Sequence, residues 1–203
     1  MLTVIGHPRS RAMRVMWMLE ELGLDYDIVP APPRSEEAIR HNPAGKIPSL
    51  IVDGETLFDS VAIIQFLADR AGKLTHPCGT VARARQDGFT HFAVDEVYGA
   101  LWIAAKHDFV LPEELRIPGV DAAARHEFDR AMKTLEERLG DNAYVMGDEI
   151  TVPDLILGHC AGWAEKGVSW DLPGGAVGDY FARVRARPAL ARAMARGAAA
   201  LAG

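Results

Sequence analysis

Cysteine is scarce in this 203-residue chain: Cys78 and Cys160 are the only two, far apart and without the spacing of a metal site. Two free thiols in a reducing compartment are the plain reading, and no disulfide framework is expected. No Cys-x-x-Cys pair occurs, which excludes dithiol redox chemistry. Basic residues are outnumbered, 22 Lys and Arg against 28 Asp and Glu, for a net charge of −6. A nucleic-acid partner held by phosphate contacts is therefore not expected. No apolar run approaches the roughly 20 residues of a membrane span, so no membrane partner is expected either. The start, Met1-Leu2-Thr3-Val4-Ile5-Gly6, lacks the basic opening of a signal peptide and reads as a strand, which points to the cytoplasm. Catalytic triads, phosphate loops and zinc spacings are also missing, and no metal is expected. What is present is 49% hydrophobic and 25% charged, enough for one large or two small globular domains.

The first seventy or so residues alternate strand and helix. Residues 2–6 read as a buried strand. In the helix over residues 11–22, Val15, Met18, Leu19 and Leu22 fall at i, i+3, i+4 and i+7, and Gly23 stops it. Residues 26–29 form a second strand, Pro30-Ala31-Pro32-Pro33 forces a loop, and residues 35–41 make a short helix. Strands over 49–52 and 56–58 flank the Asp53-Gly54 turn, and Asp59 or Ser60 caps a helix that Gly72 ends. The order βαβαββα, with a parallel first pair and a terminal hairpin, is that of a thioredoxin-like domain.

Beyond a linker at residues 73–80, strand signals vanish. Helices are expected over 81–107 with a bend near Gly99, over 120–139, over 152–166, and over 178–187 and 188–201, the last two split by Pro188. Residues 1–72 and 81–203 are thus read as an α/β domain and an all-helical bundle. One helix start is written with care. Thr151 stands at N-cap, Asp154 at N3 and Leu155 at N4, a capping box with a staple from Ile150 to Leu155.

The densest signal is Asn42-Pro43-Ala44-Gly45-Lys46-Ile47-Pro48-Ser49-Leu50, followed by Asp59-Ser60. Proline cannot donate to a ladder, so Pro48 marks a strand entrance. A cis Ile47–Pro48 bond would leave the Ile47 N–H and C=O free to pair with an extended peptide. The Ser60 hydroxyl and the first N–H groups of its helix make an anion site. An edge for a peptide backbone beside a pocket for a carboxylate suggests a small peptide ligand. Upstream, Arg9, Arg11 and Arg14 crowd a helix N-terminus whose dipole favours anions; they either meet an anion there, point to solvent or pair with carboxylates elsewhere.

Three motifs in order, the strand–helix start, the Pro48–Ser60 block and the Thr151 cap, resemble the cytosolic glutathione S-transferase family, in the manner of a bacterial, serine-type or atypical member. The resemblance covers nearly the whole chain. It implies a glutathione transferase with glutathione as cosubstrate, a small apolar electrophile as second substrate, and a homodimer. Lys46, Ile47, Pro48, Asp59 and Ser60 would bind glutathione: Lys46 at the glycyl carboxylate, Ile47 on the cysteinyl backbone, Asp59 at the ammonium and Ser60 at the γ-glutamyl carboxylate. Ser10 would donate to the sulfur and favour the thiolate. Serine-type relatives place that hydroxyl five residues before the Arg-Val pair, here Arg14-Val15, which is Arg9, so Ser10 and Arg9 are both catalytic candidates. Tyr98, Trp102 and His107 are candidates for the second-substrate site. A glutathione-dependent isomerase, reductase or dehalogenase, or a non-catalytic glutathione-binding protein of the same fold, are the alternatives.

Overall fold

The computed structural model describes residues 1–202. Strands β1 (Leu2–Ile5), β2 (Tyr26–Val29), β3 (Ser49–Val52) and β4 (Glu55–Phe58) form a single sheet in the order β2-β1-β3-β4. β1 runs parallel to β2, with Val4 opposite Ile28. β3 is antiparallel to β1, with Val4 opposite Leu50, and β4 is antiparallel to β3, with Leu50 opposite Leu57. Helices α1 (Ala12–Leu22), α2 (Glu36–His41) and α3 (Ser60–Ala71) complete the expected βαβαββα unit. The thioredoxin-like domain is present. Gly23 and Gly72 end α1 and α3 in the left-handed conformation that glycine adopts without a Cβ penalty.

The rest of the described chain is helical: α4 (Val81–Phe92), α5 (Gly99–Ala105), α6 (Val120–Leu139), α7 (Val152–Gly167), α8 (Gly175–Arg185) and α9 (Pro188–Ala202). The helix expected over 81–107 is interrupted by two π-helical segments, Ala93–Tyr98 and Lys106–Val110. The two irregular segments flank α5, and Gly99 is itself regular α-helix. The helix expected over 178–187 starts and ends earlier, at Gly175–Arg185.

Packing divides the chain differently from the expected 1–72 and 81–203. One compact unit holds Met1–Pro77 together with the chain from Ala186 onward; the other holds Cys78–Arg185. The reason lies on α1. Its expected stripe buries Val15, Met18 and Leu19, yet Met16 and Trp17 are equally buried. The face carrying Met16 is covered by α9, which packs along α1 with Ala189, Ala193 and Gly197 inward. Small residues at i, i+4 and i+8 let the two helices approach closely. Charge fixes the register. Arg187 grips Glu21 with a two-pronged bond at 2.6 and 2.7 Å, and Arg192 donates to Glu20 Oε2 at 2.9 Å and to its carbonyl at 3.0 Å. Arg196 lies over the Tyr26 ring at 3.9 Å and donates to the Tyr26 carbonyl. Tyr26 in turn donates its hydroxyl to Glu20, and burial, then the Glu20 charge, push its pKa well above the usual range.

In the second unit α7 is the core helix, buried almost throughout its first two turns. Asp154 is fully buried and accepts four hydrogen bonds: from the Val145 and Thr151 amides, the Thr151 hydroxyl and the Tyr180 hydroxyl, at 2.8–3.0 Å. The expected cap is therefore also a junction that ties the 140s loop and α8 to the start of α7. Burial raises the Asp154 pKa and those bonds oppose the rise; the Tyr180 hydroxyl is also raised by burial, then by the Asp154 charge.

Candidate functional site

The proposed glutathione-binding residues gather at one end of the first unit. Ile47–Pro48 is cis, as expected, and leads directly into β3. Gly6, at the end of β1, has φ +153°; a Cβ there would lie 3.1 Å from Ala12 Cβ and 3.4 Å from Ile47 Cβ. The turn after β1 thus lies directly against the Ile47–Pro48 bond. Lys46 is exposed. Its loop is shaped by Asn42, whose amide donates to the Lys46 carbonyl at 3.2 Å and whose side-chain oxygen accepts from the Ala44 amide at 3.1 Å. His41, near the same path, is occupied by Glu37 one helical turn back, at 3.1 Å.

At α3 the roles of two neighbours separate. Asp59, not Ser60, is the N-cap: its Oδ1 accepts from the Val61 and Ala62 amides at 2.8 and 3.2 Å. Of the two expected cap residues only Asp59 fills the role, and the Asp59 oxygen that makes these bonds is committed to the cap. Asp59 holds φ +69°, an unusual region for a residue with a side chain; such strain concentrates at functional sites. Ser60, one residue later, is buried, and the Arg14 guanidinium reaches its hydroxyl at 3.4 Å.

Arg14 is 2% exposed, so it is not among the arginines that point to solvent. The available signal was its position four residues before Met18, on the apolar face of α1. Arg9, by contrast, is exposed.

The turn carrying the catalytic candidates is closed on itself. The Ser10 hydroxyl donates to the His7 carbonyl at 2.6 Å and accepts from the Ala12 amide at 3.2 Å. The Arg9 amide donates to His7 Nδ1 at 3.1 Å. Ser10 therefore fills a local turn-capping role in this state.

In the second unit, Tyr98 and Trp102 stack with ring centroids 6.4 Å apart, and Trp163 packs on both at 5.3 and 6.1 Å. All three are half-buried. The structure brings Tyr98 and Trp102 together. His107 lines a separate cavity of about 280 Å³ with Ile117 and Trp170, and its Nδ1 accepts from the Ile117 amide at 3.0 Å. Among the described residues, no group of three or more His, Cys, Asp or Glu could hold a metal ion. Among the described residues, no helix is long and apolar enough to cross a membrane.

Residues 9–70, which hold all of these first-unit residues except His7 and Gly6, match the model of the glutathione S-transferase N-terminal domain. That stretch is a glutathione S-transferase N-terminal domain. The chain is similar to glutathione S-transferase 1 of Triticum aestivum, at 28% identity over 75% of this chain and 74% of that protein. It is also similar to probable maleylacetoacetate isomerase 1 of Drosophila melanogaster, at 29% identity over 74% of this chain and 63% of that one. In fold it resembles a Phanerochaete chrysosporium glutathione transferase solved with oxidized glutathione: TM-score 0.86, 22% identity, 100% of this chain and 97% of that one.

Proposed function

We propose that this protein is a glutathione S-transferase family member that binds glutathione, favours its thiolate and adds the sulfur to a small apolar electrophile. The observation that carries the reading is the meeting of three separate segments in one unit. The Gly6–Ser10 turn lies against the cis Ile47–Pro48 bond, and Arg14 of α1 joins Ser60 of α3.

Each residue then has a task. The Ile47 backbone pairs with the cysteinyl unit as an added strand would. Ser60 and the α3 N-terminus hold the γ-glutamyl carboxylate, and Lys46 meets the glycyl carboxylate. Arginine can only donate, so the Ser60 oxygen accepts from Arg14 and its own proton is left for the carboxylate. The Asp59 carboxylate oxygen outside the cap is left to attract the ligand ammonium.

At the sulfur, Ser10 stabilises an anion and does not attack. Its proton is held by the His7 carbonyl, so rotation about the Cβ–Oγ bond must bring it to the thiolate as glutathione arrives. Arg9, exposed beside it, is the second candidate for that charge. With the thiolate formed, its lone pair makes the new S–C bond while the leaving group departs with the electron pair. Binding and orientation of the two reactants supply most of the rate gain. Tyr98 and Trp102, with Trp163, are the residues we assign to the electrophile, whereas His107 has its own cavity. We also propose that the protein is a cytoplasmic homodimer acting in detoxification, as is typical of the family.

A glutathione-dependent isomerase is the second reading, favoured by the similarity to a probable maleylacetoacetate isomerase. Retention on immobilised glutathione together with turnover of an aryl halide is expected. Retention without turnover would favour the isomerase or a binding protein, and failure of both would overturn the assignment.

A further inference from the structure

The turn that carries Ser10 is backed by a residue from the far end of the chain. Pro8 is buried, and a Cβ placed on Gly197 of α9 would lie 2.8 Å from Pro8 Cβ and 3.5 Å from Pro8 Cγ. Real Cβ atoms essentially never come that close, and Pro8 Cβ belongs to a rigid ring, so only glycine allows this approach. Gly197 is ordinary helix, where glycine is otherwise a poor choice. Its requirement is the contact, not the backbone.

Both partners in this contact are held. On one side, His7 to Arg14 form a self-bonded turn: the Ser10 amide and hydroxyl both donate to the His7 carbonyl, the Met13 amide to the Ser10 carbonyl and the Arg14 amide to the Arg11 carbonyl. Displacing Pro8 therefore moves Ser10 with it. On the other side, α9 is fixed by Arg187 on Glu21, Arg192 on Glu20 and Arg196 on Tyr26. The last of these is adjacent to Gly197 in sequence. α9 is thus a rigid backing whose closest approach falls two residues from the hydroxyl proposed to face the sulfur.

We infer that Gly197 is a positioning residue for thiolate stabilisation: by letting α9 seat against Pro8, it sets where the Ser10 hydroxyl points. The inference rests on the glutathione transferase reading. A positioning error of this kind acts on the charged state of the sulfur, and it leaves the Lys46, Ile47 and Ser60 contacts to the tripeptide in place.

The test compares full-length wild type with Gly197→Ala, Arg196→Ala and Ala189→Gly. Thiolate absorbance in the binary glutathione complex and the pH dependence of aryl-halide turnover are read against pH. In Gly197→Ala the added methyl should push Pro8 away. kcat is expected to fall roughly ten- to a hundredfold, the cost of misplacing a reacting group by about an ångström. The thiolate titration should move toward higher pH, with the KM for glutathione changed less than twofold. Arg196→Ala, which frees α9 from β2 without adding an atom, should shift the titration the same way by less, and it decides the matter if Gly197→Ala does not fold. Ala189→Gly weakens α9 at a site away from Pro8 and should lower the melting temperature with no shift. An unmoved titration in both Gly197→Ala and Arg196→Ala, whatever their melting temperatures, would overturn the inference. Loss of glutathione binding by wild type itself would instead overturn the reading beneath it, and the inference with it.

Discussion

Arg14 and Ser60, 46 residues apart in sequence, meet in the interior of the first unit, where the guanidinium Nη1 stands 3.4 Å from the hydroxyl oxygen. A donor-only side chain on a hydroxyl leaves that hydroxyl one proton to give elsewhere. Ser60→Ala should therefore raise the KM for glutathione. It should also leave a buried Arg14 donor short of one acceptor, at a cost of about 1–3 kcal/mol. Glutathione titration and urea denaturation of the same variant separate the two effects. An unchanged glutathione affinity would remove Ser60 from the site.

Asp59 carries the cap and an unusual backbone at once. Asp59→Ala should destabilise by about 1 kcal/mol through the lost cap, with the strained φ kept. Asp59→Gly loses only a few tenths of a kcal/mol as a cap and releases strain of about 1 kcal/mol or more, so it should be at least as stable as wild type. Denaturation midpoints in which the glycine variant falls below the alanine variant would show that the positive φ stores no strain.

Asp154 takes four donors on two oxygens, and an amide in its place must aim an N–H at one of them. Asp154→Asn should cost roughly 2–4 kcal/mol, as for other buried bonds to a charged group. Its pH dependence has a definite sign. Burial raises the folded pKa, so the folded state keeps this proton at pH values where the unfolded chain has lost it. The stability from this group is full below the ordinary carboxylate value of about 4 and falls as pH rises through the raised folded value. The advantage of wild type over Asp154→Asn should accordingly shrink from pH about 4 upward. Urea midpoints across that range check it, and an advantage that grows with pH would mean that the four bonds outweigh burial.

The clamp between α9 and α1 makes a prediction about side-chain shape. Glu21 is nearly buried and accepts from Arg187 at both oxygens and from the Trp17 indole at 3.0 Å. Arg187→Ala should lower stability by about 2 kcal/mol, in the range of a charged hydrogen-bonded pair only partly open to water. Arg187→Lys restores the charge without the fork and should recover less than half of the loss. Thermal melts at low and moderate salt check this. Full recovery with lysine would make the attraction a matter of charge alone.

Much of this protein was decided locally. The period-two and period-3.6 patterns, the glycine stops at Gly23 and Gly72 and the Asp53-Gly54 turn each act within a few residues, so the four strands and the boundaries of α1, α3, α6 and α9 could be read from sequence. The Thr151–Asp154 cap and the entry at Pro48 belong to the same class, because capping and proline geometry depend on near neighbours. Contacts between distant segments were decided only in three dimensions. Nothing near Pro188 indicates that α9 joins the first unit; that depends on Glu20, Glu21 and Tyr26 presenting charge and a ring face to arginines more than 150 residues away. Arg14 looked like its surface neighbours until α3 placed Ser60 against it. Tyr98, Trp102 and Trp163 come together because helix packing chooses which faces meet. Local sequence sets an element's kind and its ends. Which of its faces is buried, and what chemistry that burial assembles, is a property of partners that the local sequence does not contain.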